Sequence, residues 1–454
     1  MIPFGCWGAC APLFLCRKTH VQATAESPVP SSSLKQRLAD FNKLWFATTI
    51  GVFGSQVTSL AIPLAAVTLL GANAMQMGWL RTFGNLPFPL FSLFAGVWLD
   101  HVRRKPVMVS VNLVRALLLF SVPAAAALSL LTLEQLYVVV FGVGTLTVIH
   151  DVAHFAYVPA LVTRKHLIDS NSKLHASHSL AELGGPGLGG LFVQWLGAPF
   201  TVLLDGIANL GSALAISRIQ TPETTKPAEP QKNSVWKEIV AGLHALFDTP
   251  ALRAIIIASM LLVVFNSAGM SVYLLYLAQD LGLPAGTIGL IFAASGGAAM
   301  LGAVLAQPVA RRIGVGPAII LGWFMQVAGR LIIPFAGGWA LLPILVGAHV
   351  LMGVFGTIAN IHQWTFRQNT VSDDFLARVT AGHRFAVFGT AAVGSLLGGI
   401  LGTQMGLHAA LILCAVCSLI GPIYALLSPL RRVRTQPGSE TADVVLPPSE
   451  EEPS

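Results

Sequence analysis

The sequence predicts an all-α membrane protein with twelve transmembrane helices in two pseudo-symmetric halves of six. Of its 454 residues, 54% are hydrophobic and only 10% are charged, whereas an average soluble protein has about 25% charged residues. Twelve apolar stretches are each long enough to cross a bilayer as a helix, for which about 20 residues suffice. A polar linker separates the first six stretches from the last six.

The twelve stretches, which we number spans 1 to 12, are joined by short connections within each half. In half one they cover approximately residues 43–71, 77–99, 106–131, 135–158, 173–196 and 199–218. In half two they cover approximately residues 251–279, 285–309, 314–336, 340–364, 380–403 and 406–428. The predicted organisation is a cytoplasmic tail (1–42), half one (43–219), a cytoplasmic linker (220–250), half two (251–428) and a disordered cytoplasmic tail (429–454). Within the linker, residues 234–247 have the apolar spacing of an amphipathic helix on the membrane surface.

The basic residues predict the orientation of the chain. All but three of the 27 lysines and arginines fall in the tails, in the linker or on the side of the bundle that carries the termini. The exceptions, Arg81, Arg115 and Arg330, lie within spans or at an outer end. Because cytoplasmic loops carry the excess of Lys and Arg, both termini are predicted to be cytoplasmic, in a plasma or inner cell membrane. The placement of bases on the cytoplasmic side thus explains the net charge of +7, and no binding to nucleic acid is expected. The expected partners are the lipid bilayer, a small-molecule substrate and protons. The protein is expected to be monomeric.

A charged decapeptide, Gly96 to Lys105, connects spans 2 and 3. It resembles the corresponding loop of the major facilitator superfamily, which reads G-x-x-x-D-R-x-G-R-R/K. The matching residues are Gly96, Asp100, Arg104 and Lys105, whereas His101 and Arg103 depart from the pattern. The resemblance implies the two-halved fold of that superfamily, with a central cavity that opens to each side of the membrane in turn.

Three further segments resemble the branch of this superfamily that contains enterobactin exporters and macrolide-efflux proteins. They are DVAHFAYVPAL at 151–161, then Asn171 with ELGGPGLGG at 182–190 and Leu204-Asp205-Gly206, and finally Arg367-Gln368 with Arg378-Val379, Arg384, Gly394, Gly398 and Gly399. The resemblance covers about residues 42–428. It implies a multi-pass permease that exports its substrate rather than importing it.

The decapeptide is predicted to form part of a latch between the halves. Asp100 ends span 2, where the helix dipole already presents negative charge, so its carboxylate needs a positive partner. By analogy with the family, that partner is the start of span 11. The predicted latch consists of Gly96, Asp100, Arg103, Arg104, Lys105, Arg378 and Arg384. The alternative is that these bases only set the orientation of the chain.

Span 5 contains a glycine-rich segment around a proline. Small residues let helix backbones approach closely, and a proline removes a backbone hydrogen bond. In the superfamily, G-P-x-x-G-G on this span marks proton antiporters, and Gly185, Pro186, Gly189 and Gly190 match it. The alternative interpretation is tight helix packing alone.

Three acids are predicted to lie within the membrane. Glu182 lies near the middle of span 5, Asp151 in the inner part of span 4 and Asp205 in the outer third of span 6. Ionisable groups at such depth are costly and are by default paired or functional. Glu182 and then Asp151 are the candidates for proton coupling, with Arg115 of span 3 as a partner for either. The alternative is structural pairing within half one, and Asp205 is expected to be a local capping or packing acid.

Other polar residues within spans are candidates for the substrate cavity. They are Gln56, Asn85, Asn266, Gln326, Arg330, His349 and Asn360. The alternative is hydrogen bonding between helices, or snorkelling for the long arginine. His150 and His154 have the spacing of a zinc-binding H-E-x-x-H helix, but Asp151 replaces the Glu and no third ligand stands out. No metal or cofactor is predicted.

The predicted function is secondary active transport, specifically proton-coupled export of a small hydrophobic, drug-like or siderophore-like molecule by alternating access. Two alternatives remain open. One is an importer or uniporter of the same fold, and the other is a transport-inactive membrane receptor or assembly factor. The sequence contains neither a P-loop nor a Ser/His/Asp arrangement, so an enzyme is not predicted.

Overall fold

A computed structural model of the chain describes residues 31–99, 101–162, 166–223, 249–371 and 373–435. Within these ranges all regular elements are helices, and the predicted fold class is confirmed. The spans of half one are Ser31–Thr68, Ala74–Asn85 with Pro87–Leu99, Arg104–Ala127, Leu133–Leu161, Leu167–Leu196 and Ala198–Ser217. The spans of half two are Pro250–Leu275 with a π-helical turn Tyr276–Asp280, Ala285–Ile313, Val315–Ile332, Leu341–Thr370, Asp373–Met405 and Leu407–Ser418 with Ile420–Leu427.

Spans 2 and 12 are each broken into two helical segments. Pro87 begins the second segment of span 2, and Pro422 lies in the first turn of the second segment of span 12. A proline has no N–H to donate to the preceding turn, so the hydrogen-bond ladder is interrupted there.

Ten of the described helices are long and apolar enough to cross a membrane, and spans 2 and 5 are the two that are not among them. Span 2 is divided into segments of 12 and 13 residues. Span 5 carries polar and charged residues along its first half, including Asp169, Lys173 and Glu182. Spans 2 and 5 both pack against several other spans. The ten apolar helices make the chain a multi-pass membrane protein.

Several helices extend beyond the apolar stretches that predicted them. Span 1 begins at Ser31, so residues 31–42 of the predicted cytoplasmic tail continue its helix. Spans 5 and 11 likewise begin at Leu167 and Asp373, before the predicted starts at 173 and 380. These additional turns are polar, and hydropathy does not detect a helix that continues outside the hydrocarbon layer.

The tail after span 12 is also ordered at first. Pro429–Arg432 form a 3₁₀ turn, and the buried Leu430 packs against the start of span 9. The N–H groups of Val315 and Gly316 donate to the carbonyls of Arg434 and Val433 at 3.2 and 2.9 Å. The tail thus satisfies N–H groups that a helix start otherwise leaves unpaired. Residues 429–435 therefore do not fit the predicted disordered tail, and residues 436–454 lie outside the described residues.

Residues 220–223, at the predicted start of the linker, are fixed to half one. The buried carboxylate of Asp40 accepts hydrogen bonds from the N–H groups of Gln220 and Thr221, at 3.0 and 2.8 Å, and from the Thr221 hydroxyl. Lys43 forms an ion pair with the same carboxylate at 2.7 Å. The rest of the linker, including the predicted amphipathic helix at 234–247, lies outside the described residues, as do residues 1–30.

Among the described residues, the buried apolar cluster that joins the two halves lies on one side of the bundle, and nearer the middle Phe88 of span 2 also stacks on Phe388 of span 11, with 4.2 Å between ring centres. We call the side where span 1 begins and span 12 ends the terminal side, and the opposite side the far side. On the far side a single buried cluster includes residues of both halves, such as Met77 and Leu275. On the terminal side half one has its own core around Tyr157, and half two has another around Ile319 and Phe366.

Two pairs of glycines bring the halves into backbone contact on the far side. A Cβ atom on Gly190 of span 5 would lie 2.6 Å from the Cα of Gly289 in span 8, and one on Gly289 would lie 2.7 Å from the Cα of Gly190. Gly78 of span 2 and Gly399 of span 11 face each other in the same way, at 2.9 and 3.1 Å. We call these contacts the glycine pairs.

The glycine pairs are related by the pseudo-symmetry of the halves. Spans 5 and 11 both end at a glycine with positive φ, Gly197 at 81° and Gly406 at 83°, a conformation that other residues rarely adopt. In each span, the paired glycine lies seven residues before this terminal glycine. The far side is therefore closed by two equivalent contacts.

Toward the terminal side, spans 5 and 8 separate. Between residues 171 and 180 of span 5 only Leu174 and Ser177 are buried. Between residues 301 and 312 of span 8 only Gly302 and Ala306 are buried. Spans 5 and 8 thus diverge beyond the level of Glu182, whereas spans 2 and 11 stay in contact, and a cavity lies between the halves.

Candidate functional site: the central cavity

A central cavity of about 570 Å³ lies between the halves. Half one contributes three neighbouring residues of span 5 to its wall, Glu182, Leu183 and Pro186. Half two contributes residues from spans 7 to 11, with both apolar and polar side chains. The polar side chains are Ser259, Ser295, Gln326, Thr357, Asn360, Gln363 and His383. A cavity of this size, with mixed walls, is suited to a drug-sized molecule.

Glu182 is the one acid among the described residues that line this cavity. Its side chain is exposed to the cavity space. It has no hydrogen bond or ion pair with another described residue. A carboxylate that faces a cavity at mid-membrane without a protein partner is available to a proton or to a ligand.

Half two supplies the polar wall opposite this acid. The predicted cavity residues Gln326 and Asn360 lie on it. Sequence reasoning missed Gln363, whose side-chain oxygen accepts a hydrogen bond from Ser259 at 3.1 Å, and His383, whose buried Nε2 has no partner among the described residues. Both are polar residues within apolar spans, and the same signal that selected Asn360 could have selected them.

The other predicted cavity residues lie elsewhere, so these expectations are corrected. Gln56 lies against Gly185 at the contact between spans 1 and 5. The Asn85 amide reaches the Ser395 hydroxyl of span 11 at 3.5 Å, and the buried His349 ring is bonded to the carbonyl of Leu345. Asn266 and Arg330 line a second, smaller cavity within half two. A sequence shows that a residue is within a span but not which neighbouring helix it faces.

Among the described residues, Arg115 is not within ion-pair distance of Glu182 or Asp151, although it lies near enough to Asp151 to interact electrostatically. Its guanidinium is buried in half one and donates to the hydroxyl of Ser55 at 3.1 Å. Asp205, which is 1% exposed, lies near enough to Arg115 to interact electrostatically and accepts a hydrogen bond from Asn209 at 2.9 Å. Asp205, which was expected to be a local capping or packing acid, is thus buried in the core of half one, near the buried Arg115.

This placement gives a stability prediction for Asp205. Asp205→Asn is expected to lower the stability of the folded protein by about 1–3 kcal/mol, because it removes a buried negative charge near Arg115 and puts an NH2 group without an acceptor in its place. The measurement is the thermal unfolding temperature in detergent, together with the yield of monodisperse protein. Asp169→Asn is the control, since Asp169 is exposed at the start of span 5. Equal unfolding temperatures for the two variants would contradict the interpretation.

Asp151 is partly exposed, with 43% of its side chain accessible, and its carboxylate lies 3.8 Å from Nδ1 of His150. The His154 ring is buried, and its Nε2 lies 3.1 Å from the Thr48 hydroxyl of span 1. Among the described residues, no group of three or more His, Cys, Asp or Glu side chains is arranged to hold a metal ion. His154 is thus engaged in a contact between helices.

The glycine-rich segment of span 5 faces two neighbours. Gly185 and Gly189 lie against Gln56 and Val57 of span 1, within half one. Gly190 and Pro186 lie against Gly289 of span 8, across the boundary between the halves. The residues that resemble the antiporter motif therefore fix span 5 to its own half and also form one of the glycine pairs.

The predicted latch is described only in part. Asp100 and the side chain of Arg378 lie outside the described residues. The backbone N–H groups of Arg104 and Lys105 donate to the carboxylate of Glu223, at 2.9 and 3.3 Å. Glu223, which sequence reasoning missed, thus caps the start of span 3, where a helix favours negative charge.

The three remaining latch residues show different environments. Arg103 is exposed and directly precedes the first turn of span 3. The Arg384 guanidinium of span 11 lies 5.9 Å from the ring centre of Phe88 and 5.8 Å from that of Phe155, both in half one. These are cation–π contacts between the halves. Gly96 has open space where a Cβ would be placed, so no close packing requires glycine there.

Comparisons with known proteins agree with this architecture. The chain is 26% identical over 413 residues to the multidrug efflux pump Tap of Mycolicibacterium fortuitum, covering 86% of this chain and 95% of that protein. It is 21% identical over 230 residues to macrolide efflux protein A of Streptococcus pyogenes, covering 49% of this chain and 54% of that protein. The resemblance to an efflux branch is thereby confirmed.

Solved structures share the fold at lower identity. A bacterial homologue of the iron transporter ferroportin in its inward-facing state has a TM-score of 0.68 at 15% identity, covering 86% of this chain and 98% of that one. The outward-facing state of a bacterial ferroportin homologue gives a TM-score of 0.55. The family model of the Major Facilitator Superfamily matches residues 44–381 and 259–450. With its twelve spans, its two halves and a cavity between them, the chain belongs to the major facilitator superfamily and is a transporter rather than an enzyme.

Proposed function

We propose that this transporter is a proton-coupled exporter of a small hydrophobic molecule, drug-like or siderophore-like, in the cell membrane with both termini in the cytoplasm. The observation that carries the proposal is the position of Glu182, an acid on the wall of the central cavity with no partner in the described part of the chain. It lies on the same span as the glycine-rich segment that resembles the antiporter motif. The named efflux relatives support the direction of transport.

The closed far side and open terminal side correspond to one state of an alternating-access cycle. With the termini in the cytoplasm, as the distribution of bases indicates, this state is inward-facing. A substrate then enters the cavity from the cytoplasm. The side chains that meet it are Phe292, Trp323 and Met352, which are apolar, and the polar residues of half two.

Proton coupling follows if substrate and proton compete for Glu182. In the inward-facing state the carboxylate releases its proton to the cytoplasm, and the substrate binds beside the charged group. After the halves rock to open the far side, a proton binds the carboxylate and the substrate leaves. The protonated, empty carrier returns, so each cycle moves one substrate molecule out for each proton that moves in.

The test compares the accumulation of a panel of lipophilic fluorescent compounds in cells with and without the protein, before and after an uncoupler collapses the proton gradient. The expected result is lower accumulation of some compounds, with the difference lost on uncoupling. Lower accumulation that survives complete uncoupling would contradict proton coupling, and higher accumulation would contradict export. No difference for any compound would favour a transport-inactive receptor.

A further inference from the structure

A second cavity lies within half two, near the far side, and holds an arginine without a counter-charge. Its volume is about 30 Å³. Spans 7, 9, 10 and 12 line it, with Asn266, Tyr273, Arg330 and Met352 among the lining residues. Met352 also lines the central cavity, so the two cavities are neighbours.

The polar groups of this small cavity are unsatisfied. The Nη1 atom of Arg330 and the hydroxyl of Tyr273 are buried without a hydrogen-bond partner among the described residues. Tyr273 is only 3% exposed. Buried donors are almost always bonded in folded proteins, so two of them at one cavity indicate that something occupies it.

Half two offers no carboxylate to neutralise Arg330. Between residues 251 and 428 the acids are Asp280, Asp373 and Asp374, all at the ends of spans. Among the described residues, no carboxylate forms an ion pair with the guanidinium. An arginine keeps its charge in proteins, and an unpaired charge within a membrane is costly.

We propose that this cavity binds a small monovalent anion of the size of chloride. The guanidinium of Arg330 supplies the charge, the hydroxyl of Tyr273 supplies a second donor, and the amide of Asn266 supplies a third. The space of about 30 Å³ holds the centres of one or two water-sized particles, which fits a small anion such as chloride or bromide. The anion acts as a structural counter-ion between spans 7 and 9, a role independent of the proton and the exported substrate.

The experiment measures the thermal unfolding temperature of the purified protein in lipid nanodiscs, in chloride, bromide, sulfate and gluconate at equal ionic strength. A ligand that binds only the folded state raises this temperature. Chloride and bromide are expected to raise it by at least about 2 °C over gluconate. Sulfate stabilises folded proteins generally, by exclusion from their surface, so its effect is expected to be the same in the natural protein and in Asn266→Asp. Equal temperatures in chloride, bromide and gluconate would overturn the proposal and leave water as the occupant.

Variants of the residues that line the small cavity test whether the anion binds there. Asn266→Asp places a carboxylate in the cavity, so this variant is expected to lose the chloride effect while remaining folded. Arg330→Gln is expected to lose the effect as well, whereas Arg330→Lys retains part of it. Arg253→Gln is the matched control, because Arg253 is exposed at the start of span 7. If Asn266→Asp keeps the full chloride effect, the anion binds elsewhere and the proposal is wrong, even if Arg330→Gln fails to fold.

Discussion

Replacing Gly190 with alanine is expected to reduce transport by about 5- to 150-fold while the protein still folds and inserts. The added Cβ would lie 2.6 Å from the Cα of Gly289 and 2.7 Å from the carbonyl oxygen of Ala285. Both are backbone atoms, so neither can rotate away. Overpacking of this kind costs about 1–3 kcal/mol, which disfavours the state with a closed far side by that factor. A leucine at the same position is expected to abolish transport.

In Gly190→Ala, the transport rate and the solvent accessibility of the far side are expected to change together. A cysteine introduced at Ala285, in a background without the native cysteines, reports whether the far side is open, through its labelling rate with a membrane-impermeant thiol reagent. Gly190→Ala is expected to increase that rate. Gly184→Ala is the matched control, because it lies in the same glycine-rich segment and its Cβ would meet open space. If the two variants transport and label alike, the glycine pair is not a gate.

Glu182→Gln is expected to reduce gradient-driven transport to the level of liposomes without protein. The amide keeps the size and polarity of the side chain but does not exchange a proton at any relevant pH. Exchange of labelled for unlabelled substrate without a gradient is expected to continue, because the carrier can still move in its loaded form. Loss of the driven process with retention of exchange is the signature of a coupling residue.

The control for this variant is Glu134→Gln. Glu134 is also exposed, but it lies in the first turn of span 4 on the far side, away from the central cavity. It is expected to behave like the natural protein in both assays. Gradient-driven transport at the natural rate in Glu182→Gln would show that protons are coupled elsewhere, with Asp151 as the next residue to test.

The sequence was sufficient for the helices because a long apolar stretch with few charges is rarely anything but a membrane span. It was insufficient at their ends. The polar residues from Ser31 and from Asp373 continue helices that hydropathy does not detect, and Leu430, in the predicted disordered tail, packs against span 9.

For the candidate site, the sequence predicted which polar residues lie within the membrane, but not which neighbouring helix or cavity each of them faces. Glu182 was identified because an acid within a span is rare, and its place on the cavity wall fits the reason for choosing it. Gln56 and His349 were chosen on the same basis but face neighbouring helices. A residue's face depends on the rotation of its helix against its neighbours, and strongly apolar helices with a weak amphipathic pattern do not encode that rotation.

The glycine pairs occupy equivalent positions in the two halves, whereas the charged residues within the spans do not. Acids within spans occur in half one, at Asp151, Glu182 and Asp205, and half two has none away from its span ends. If protons bind Glu182 as proposed, proton binding belongs to half one, and most of the residues that line the substrate cavity belong to half two. Under the proposed mechanism, directed evolution of Gln326, Asn360 and Gln363 is therefore expected to change which compounds are transported without changing proton coupling at Glu182.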